Sequence, residues 1–131
     1  MTKVFLDANL LIYLNVGSED PILELWAKLL IHHELYADVL VLDEVLWISK
    51  KKYHVDYAET IDFIDNHVLP YTTLLPLGDT EYKLATKYLA KATLRPSDAL
   101  HAAAMETNGL NVIATEDRDF DKIPWITRLW I

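Results

Sequence analysis

The sequence predicts a three-layer α/β/α domain built on a central parallel sheet of four to five strands. Two observations carry that prediction: short β-branched or aromatic runs alternate with longer segments of helical periodicity, and turn or capping residues separate nearly all of them. A third concerns placement. Acidic residues stand where hydrophobic elements meet turns, at Asp7, Glu44, Asp98 and the Asp117/Asp119 pair.

Lys3 to Leu6 reads as a buried strand ending at Asp7, followed by an apolar helical turn through Leu10, Leu11 and Leu14. Ser18 or Asp20 caps a second helix with Pro21 in its first turn and Leu25, Trp26 and Leu29 on its apolar face, running to about Glu34. Val39 to Leu42 reads either as a short second strand, the favoured reading, with a helix starting near Asp43, or as the opening of that helix, which runs through Val45, Leu46, Ile48 and Ser49 toward Tyr53. A further helix is expected over Asp56 to His67, closed by Pro70, and a third strand over Thr72 to Leu77.

Asp79 is the expected cap of a helix carrying Tyr82, Ala85 and Leu89 toward Thr93. Arg95-Pro96-Ser97-Asp98 opens the next, which Asn108-Gly109 ends. Val112 to Thr115 and Thr127 to Trp130 are the last strands. Parallel strands joined by right-handed crossovers carry ligands at their carboxyl ends, and Asp7 and Asp117 both follow a strand.

At 131 residues the chain is expected to form a single domain, residues 1–131. It is 52% hydrophobic and 24% charged, with 3 Gly and 5 Pro, a composition unlike disordered or repeat sequences. It holds no cysteine, which excludes disulfides, thiolate metal sites and cysteine nucleophiles and suits a cytoplasmic setting. Neither a signal-peptide core nor an apolar run long enough to span a membrane occurs. The net charge of −8 argues against extended nucleic-acid contact, though carboxylates gathered round a cation account for part of it.

Asp7, Glu44, Asp98 and Asp117 are hard oxygen donors suited to Mg²⁺ or Mn²⁺. Brought together without a cation they would repel one another; a divalent ion turns the cluster into a site able to promote attack of water on a phosphodiester. A glycine-rich phosphate loop and a G-x-S-x-G nucleophile elbow are both absent. Singly, each acid has an ordinary explanation as a cap or a solvated turn residue. Four in series do not.

Val4-Phe5-Leu6-Asp7-Ala8-Asn9, Asp43-Glu44-Val45, Pro96-Ser97-Asp98-Ala99-Leu100-His101 and Thr115-Glu116-Asp117-Arg118-Asp119-Phe120 resemble, in order and spacing, the four motifs of the PIN-domain nucleases. The likeness covers nearly the whole chain and is greatest to the toxin ribonucleases of VapBC-type toxin–antitoxin modules. It implies a PIN fold, an Mg²⁺- or Mn²⁺-dependent endoribonuclease, a homodimer and an antitoxin partner. Asp7, Glu44 and Asp98 match the first three motif acids, and the fourth is either Asp117 or Asp119. Asp7, Asp98, Asp117 and Asp119 are the implied metal ligands. Asn9 and Thr115 match supporting polar positions.

Lys50, Lys51 and Lys52, with Lys91, Arg95 and Arg118, are candidate contacts for RNA phosphates, the alternative for the lysine run being a solvated helix end. Trp47 with Tyr13, Leu14 and Ile48 is a candidate groove for an antitoxin helix, or simply core. His101, three residues after Asp98, is expected to be packed or hydrogen-bonded, with metal ligation the minor alternative. His32, His33, His54 and His67 read as surface or interface residues.

Two competing functions stand beside the nuclease. A HAD-like phosphatase also opens on a strand ending in aspartate, but it needs an acid two residues on, where this chain has Asn9. A PIN-fold scaffold without catalysis would suit the net charge but not the full set of motif acids.

Overall fold

The computed structural model describes residues 1–131. Five strands form one sheet in the order β3-β2-β1-β4-β5, all neighbours parallel. The strands are β1 (Thr2–Leu6), β2 (His33–Asp38), β3 (Thr72–Leu75), β4 (Val112–Ala114) and β5 (Thr127–Leu129). Six α-helices connect them: α1 (Ala8–Val16), α2 (Asp20–His32), α3 (Val39–Tyr53), α4 (Tyr57–Phe63), α5 (Asp79–Lys91) and α6 (Pro96–Thr107). One group of helices joins α1 to α2 and α3, with α4 on α3, and a second packs α5 on α6, giving the expected α/β/α layering.

Central strands in such a sheet are covered on both faces and read as continuous apolar runs. β1 does so: Val4, Phe5 and Leu6 are fully buried, and Leu6 is in register with Ala114 of β4. Helix α6 meets the core with small side chains, Ala99, Ala102, Ala103 and Ala104, all inaccessible, and Ala99 and Ala103 pack with Ala85 of α5. After β1 the chain builds outward through β2 to β3, then returns to the other side of β1 for β4. The strand order therefore reverses between β1 and β4, where a crevice opens at the carboxyl edge.

Several expected boundaries move. The second strand is His33–Asp38, and the Val39–Leu42 run, favoured as strand, is instead the first turn of α3, the alternative reading. The cause is Asp38, whose Oδ1 accepts the Val41 N–H at 3.1 Å and starts the helix there. Helix α2 accordingly ends at His32, and its N-cap is Glu19 rather than Ser18 or Asp20. Gly78 rather than Asp79 precedes α5, with its N–H donating to Glu81 Oε1 at 2.8 Å.

The Asp56–His67 helix is interrupted. Regular α4 gives way after Phe63 to a wider turn over Ile64–Val68, closed by the Leu69 N–H on the Ile64 carbonyl, and Pro70 falls in a 3₁₀ turn, Leu69–Tyr71. β3 stops at Leu75, before Pro76. No helix is long and apolar enough to cross a membrane.

Candidate active site

Asp7 directly follows β1 and caps α1, its Oδ1 accepting the Ala8 N–H at 2.8 Å. Its backbone N–H extends the ladder to the Ala114 carbonyl at 3.1 Å, which ties the end of β1 to the end of β4. Glu44 projects from the second turn of α3, and Asp98 from the first turn of α6, two residues after Pro96. Asp117 caps the 3₁₀ turn Arg118–Lys122 through the Asp119 N–H, 2.9 Å from its Oδ1.

Thr115 is the hub. Its buried hydroxyl donates to Asp7 Oδ2 at 2.8 Å and accepts from Asn9 Nδ2 at 2.8 Å and from the Asp117 N–H at 3.0 Å. The Glu116 N–H reaches Asn9 Oδ1 at 3.4 Å. One hydroxyl thus ties Asp7 to the loop bearing Asp117 and Asp119, with Asn9 completing the network.

The acids meet in an open cleft of about 420 Å³ lined by Asp7, Asn9, Glu44, Asp98 and Asp117, with Arg95 and Lys52 on its wall. Carboxylate oxygens of Asp98, Asp117 and Asp119 lie within 4.8 Å of one another, as do ligand atoms of Asp7, Glu44 and His101. Both candidates for the fourth acid stand beside Asp98, but Asp117 faces the cleft, whereas Asp119 pairs with Lys122 at 3.2 Å.

The electrostatics follow from this crowding. Burial, then the charges of Asp7 and Asp117, raise the Asp98 pKa to about 6, against a smaller pull from His101 and Arg95. Glu44 is raised too, first by burial and then by Asp7, with Arg95 opposing. That opposing contact is weak: Arg95 and Glu44 are 3.9 Å apart, and the arginine side chain is 69% exposed. Asp98 Oδ2 is buried with no hydrogen-bond partner. Hard oxygen donors, mutual repulsion and an orphaned acceptor together fit a divalent cation.

The basic residues separate. Lys52 and Arg95 border the cleft. Lys50 is held by Asp56 at 3.3 Å, Lys51 lies over the Trp47 ring, Arg118 is exposed, and Lys91 lines a different groove with Lys87 and Lys122. Of the apolar groove, Tyr13 and Ile48 line the cleft while Trp47 is half exposed beside it. A hydrogen bond to Glu116, together with burial, pushes the Tyr13 hydroxyl to about 12, so it serves the cleft rim as a donor.

Asp38 escaped the sequence reading. It is fully buried, and its Oδ2 meets His101 Nδ1 at 2.7 Å while its Oδ1 caps α3. Burial opposes protonation of His101, but the Asp38 hydrogen bond and charge, with Asp7 and Asp98 beyond, outweigh it and raise its pKa. A capping acid directly before an apolar helical run was the available signal.

A parallel sheet with carboxylates gathered where strand order reverses defines an acid-centred α/β domain. The sequence profile of the PIN domain matches residues 4–126, and the chain belongs to that family. Its structure is similar to the DNA-bound VapBC of Salmonella typhimurium, with a TM-score of 0.76, 18% identity and coverage of 99% of this chain and 98% of the other. It is also similar to VapBC2 of Rickettsia felis bound to a promoter DNA fragment, with a TM-score of 0.74, 18% identity and 98% of each chain covered. A third similar structure is VapC20 of Mycobacterium tuberculosis, a toxin that cleaves the sarcin-ricin loop, with a TM-score of 0.75, 14% identity and coverage of 90% of this chain and 92% of the other. Among curated proteins no sequence matches.

Proposed function

We propose that the protein is a metal-dependent endoribonuclease, the toxin of a VapBC-type toxin–antitoxin pair. The observation that carries the reading is the convergence of Asp7, Glu44, Asp98 and Asp117 in one cleft at the sheet's switch point. The family match and the likeness to toxin–antitoxin structures support it.

Asp7, Asp98 and Asp117, with Asp119 adjoining, would hold Mg²⁺ or Mn²⁺, and Glu44 faces Asp7 across the same space. A divalent ion bound there supplies Lewis-acid polarisation of the scissile phosphate and makes water a better nucleophile. The chain's own residues do the rest. Thr115 and Asn9 hold Asp7 in one rotamer, so the cluster is set before substrate arrives. Glu44, with its pKa raised by burial and by Asp7, is placed to accept a proton from the attacking water. Arg95 and Lys52 stand on the wall to meet RNA phosphates. Lys50, Lys51 and Arg118, farther out, extend that surface along a longer strand.

The antitoxin partner is proposed to cover the exposed Trp47 and the adjoining rim. A homodimer suits the exposed Tyr82 and Leu89 of α5, and the setting is cytoplasmic. The deciding experiment incubates purified protein with single-stranded and structured RNAs in Mg²⁺, Mn²⁺ or EDTA. Cleavage is expected with metal, none with EDTA, and none in Asp7→Asn. Metal-dependent cleavage that survives in both Asp7→Asn and Asp98→Asn overturns the site. Absence of both cleavage and metal binding leaves a PIN-fold scaffold.

A further inference from the structure

His101 is an odd residue to find buried close to a cluster of acids. Its side chain is fully buried, and Phe5 lies against the ring with centroids 5.3 Å apart. Nδ1 is engaged by Asp38 Oδ2 at 2.7 Å, and because Asp38 accepts through both oxygens, the proton of that bond belongs to Nδ1. Nε2 is then the nitrogen left without a partner, and a cation that takes its lone pair displaces any proton held there. Nε2 is buried and has no hydrogen-bond partner, so its desolvation goes uncompensated unless another group satisfies it. A ring nitrogen of His101 lies within 4.8 Å of carboxylate oxygens of both Asp7 and Glu44.

We propose that His101 Nε2 is a metal ligand beside Asp7 and Glu44, with Asp38 orienting the ring, and that the site therefore prefers a first-row transition dication such as Mn²⁺ to Mg²⁺. The inference rests on the reading of the cleft as a divalent-cation site and adds a nitrogen donor to it. A carboxylate that accepts from the second ring nitrogen fixes the tautomer and raises the basicity of the ligating one. Mg²⁺ gains little from imidazole, whereas Mn²⁺, Fe²⁺, Co²⁺ and Zn²⁺ accept it beside carboxylates. Asp38 has two tasks, since one oxygen starts α3, the helix that carries Glu44, and the other aims His101. One buried carboxylate thereby links the proposed nitrogen donor to the helix that carries Glu44.

Asp38→Asn separates these tasks. Asn caps helices about as well as Asp, and its single oxygen can keep the Val41 N–H. The amide NH₂ is then turned to Nδ1, which must accept, and the proton moves to Nε2, where it blocks ligation. The helix stays and the ligand is lost.

The test is pulsed EPR of Mn²⁺ on the full chain, with titration calorimetry of Mn²⁺ and of Mg²⁺. Wild type is expected to show ¹⁴N modulation from a directly bound nitrogen. His101→Gln and Asp38→Asn are expected to lose it, with Mn²⁺ affinity falling about 10- to 100-fold and Mg²⁺ affinity by less than about threefold. Mn²⁺ bound to wild type without nitrogen modulation overturns the inference and leaves the carboxylate site standing. The wild-type spectrum decides this even if a variant fails to fold. No Mn²⁺ binding at all, with wild type behaving as Asp7→Asn does, overturns this inference and the metal-site reading together.

Discussion

Asp98→Asn is expected to stabilise the metal-free protein while abolishing the proposed nuclease activity. The Asp98 carboxyl titrates near 6 instead of 3.8, chiefly because it is buried and faces Asp7. Its native state holds a proton that the unfolded chain has released between those values, so stability falls as pH rises through that window and the penalty is complete above about 7. Two units correspond to about 3 kcal/mol, and solvent in the open cleft reduces this to about 1–2 kcal/mol. The lost helix-dipole contact of an acid in the first turn of α6 takes back a few tenths of a kcal/mol. Urea unfolding in EDTA at pH 7.5 should therefore show the variant about 1–2 kcal/mol more stable than wild type, and at pH 4 the difference should vanish. Saturating Mn²⁺ should reverse the order, because only wild type then gains full binding energy. A variant less stable at pH 7.5, or a gain of equal size at pH 4, would refute the claim that crowded burial of Asp98 is what the cation relieves.

Thr115→Val keeps the shape of the hub but strips its hydroxyl, leaving Asp7, Asn9 and the Asp117 N–H short of a partner. A loss of about 1–3 kcal/mol is expected in urea unfolding, with Thr115→Ser closer to wild type. Arg95→Ala should change stability by less than about 0.5 kcal/mol, given its exposure and its 3.9 Å separation from Glu44. Its effect should show in RNA affinity measured by fluorescence anisotropy in EDTA, where the slope of log K against log salt should flatten by about one. His54 ends α3 in the left-handed region at φ 60°, and His54→Gly should stabilise by about 0.5–1 kcal/mol in thermal unfolding, net of the added freedom of the unfolded chain.

Most of the candidate site was legible because its acids sit at chemical boundaries that leave a mark in the chain. Asp7 ends an apolar run, Asp98 follows a proline in a first turn, and Asp117 lies in a polar loop after Val112–Thr115. The second strand was misplaced because Val39-Leu40-Val41-Leu42 has high strand propensity, and propensity yields to a cap and to tertiary packing. That error hid Asp38, since a residue taken for a connection into a strand draws no attention as a buried acid. The break after Phe63 left no trace either: Ile61, Ile64 and Val68 keep helical spacing across the wider turn.

Local pattern and spacing alone determined the α/β class, the near-complete run of elements, the acids and their order. These properties depend on neighbours a few residues away, which is the range over which capping, periodicity and turn chemistry act. Only the tertiary structure decided which strand adjoins which, and so which acids share a cleft. It turned Asp117 toward that cleft and Asp119 toward Lys122, and it kept Lys52 at the wall while drawing Lys50 to Asp56. It also joined Asp38 to His101 across 63 residues of chain, left His101 Nε2 buried without a partner, and set a ring nitrogen of that histidine within 4.8 Å of Asp7 and Glu44 oxygens. Such pairings come from strand order and helix packing, and hydrogen-bond direction between distant side chains has no local code to be read.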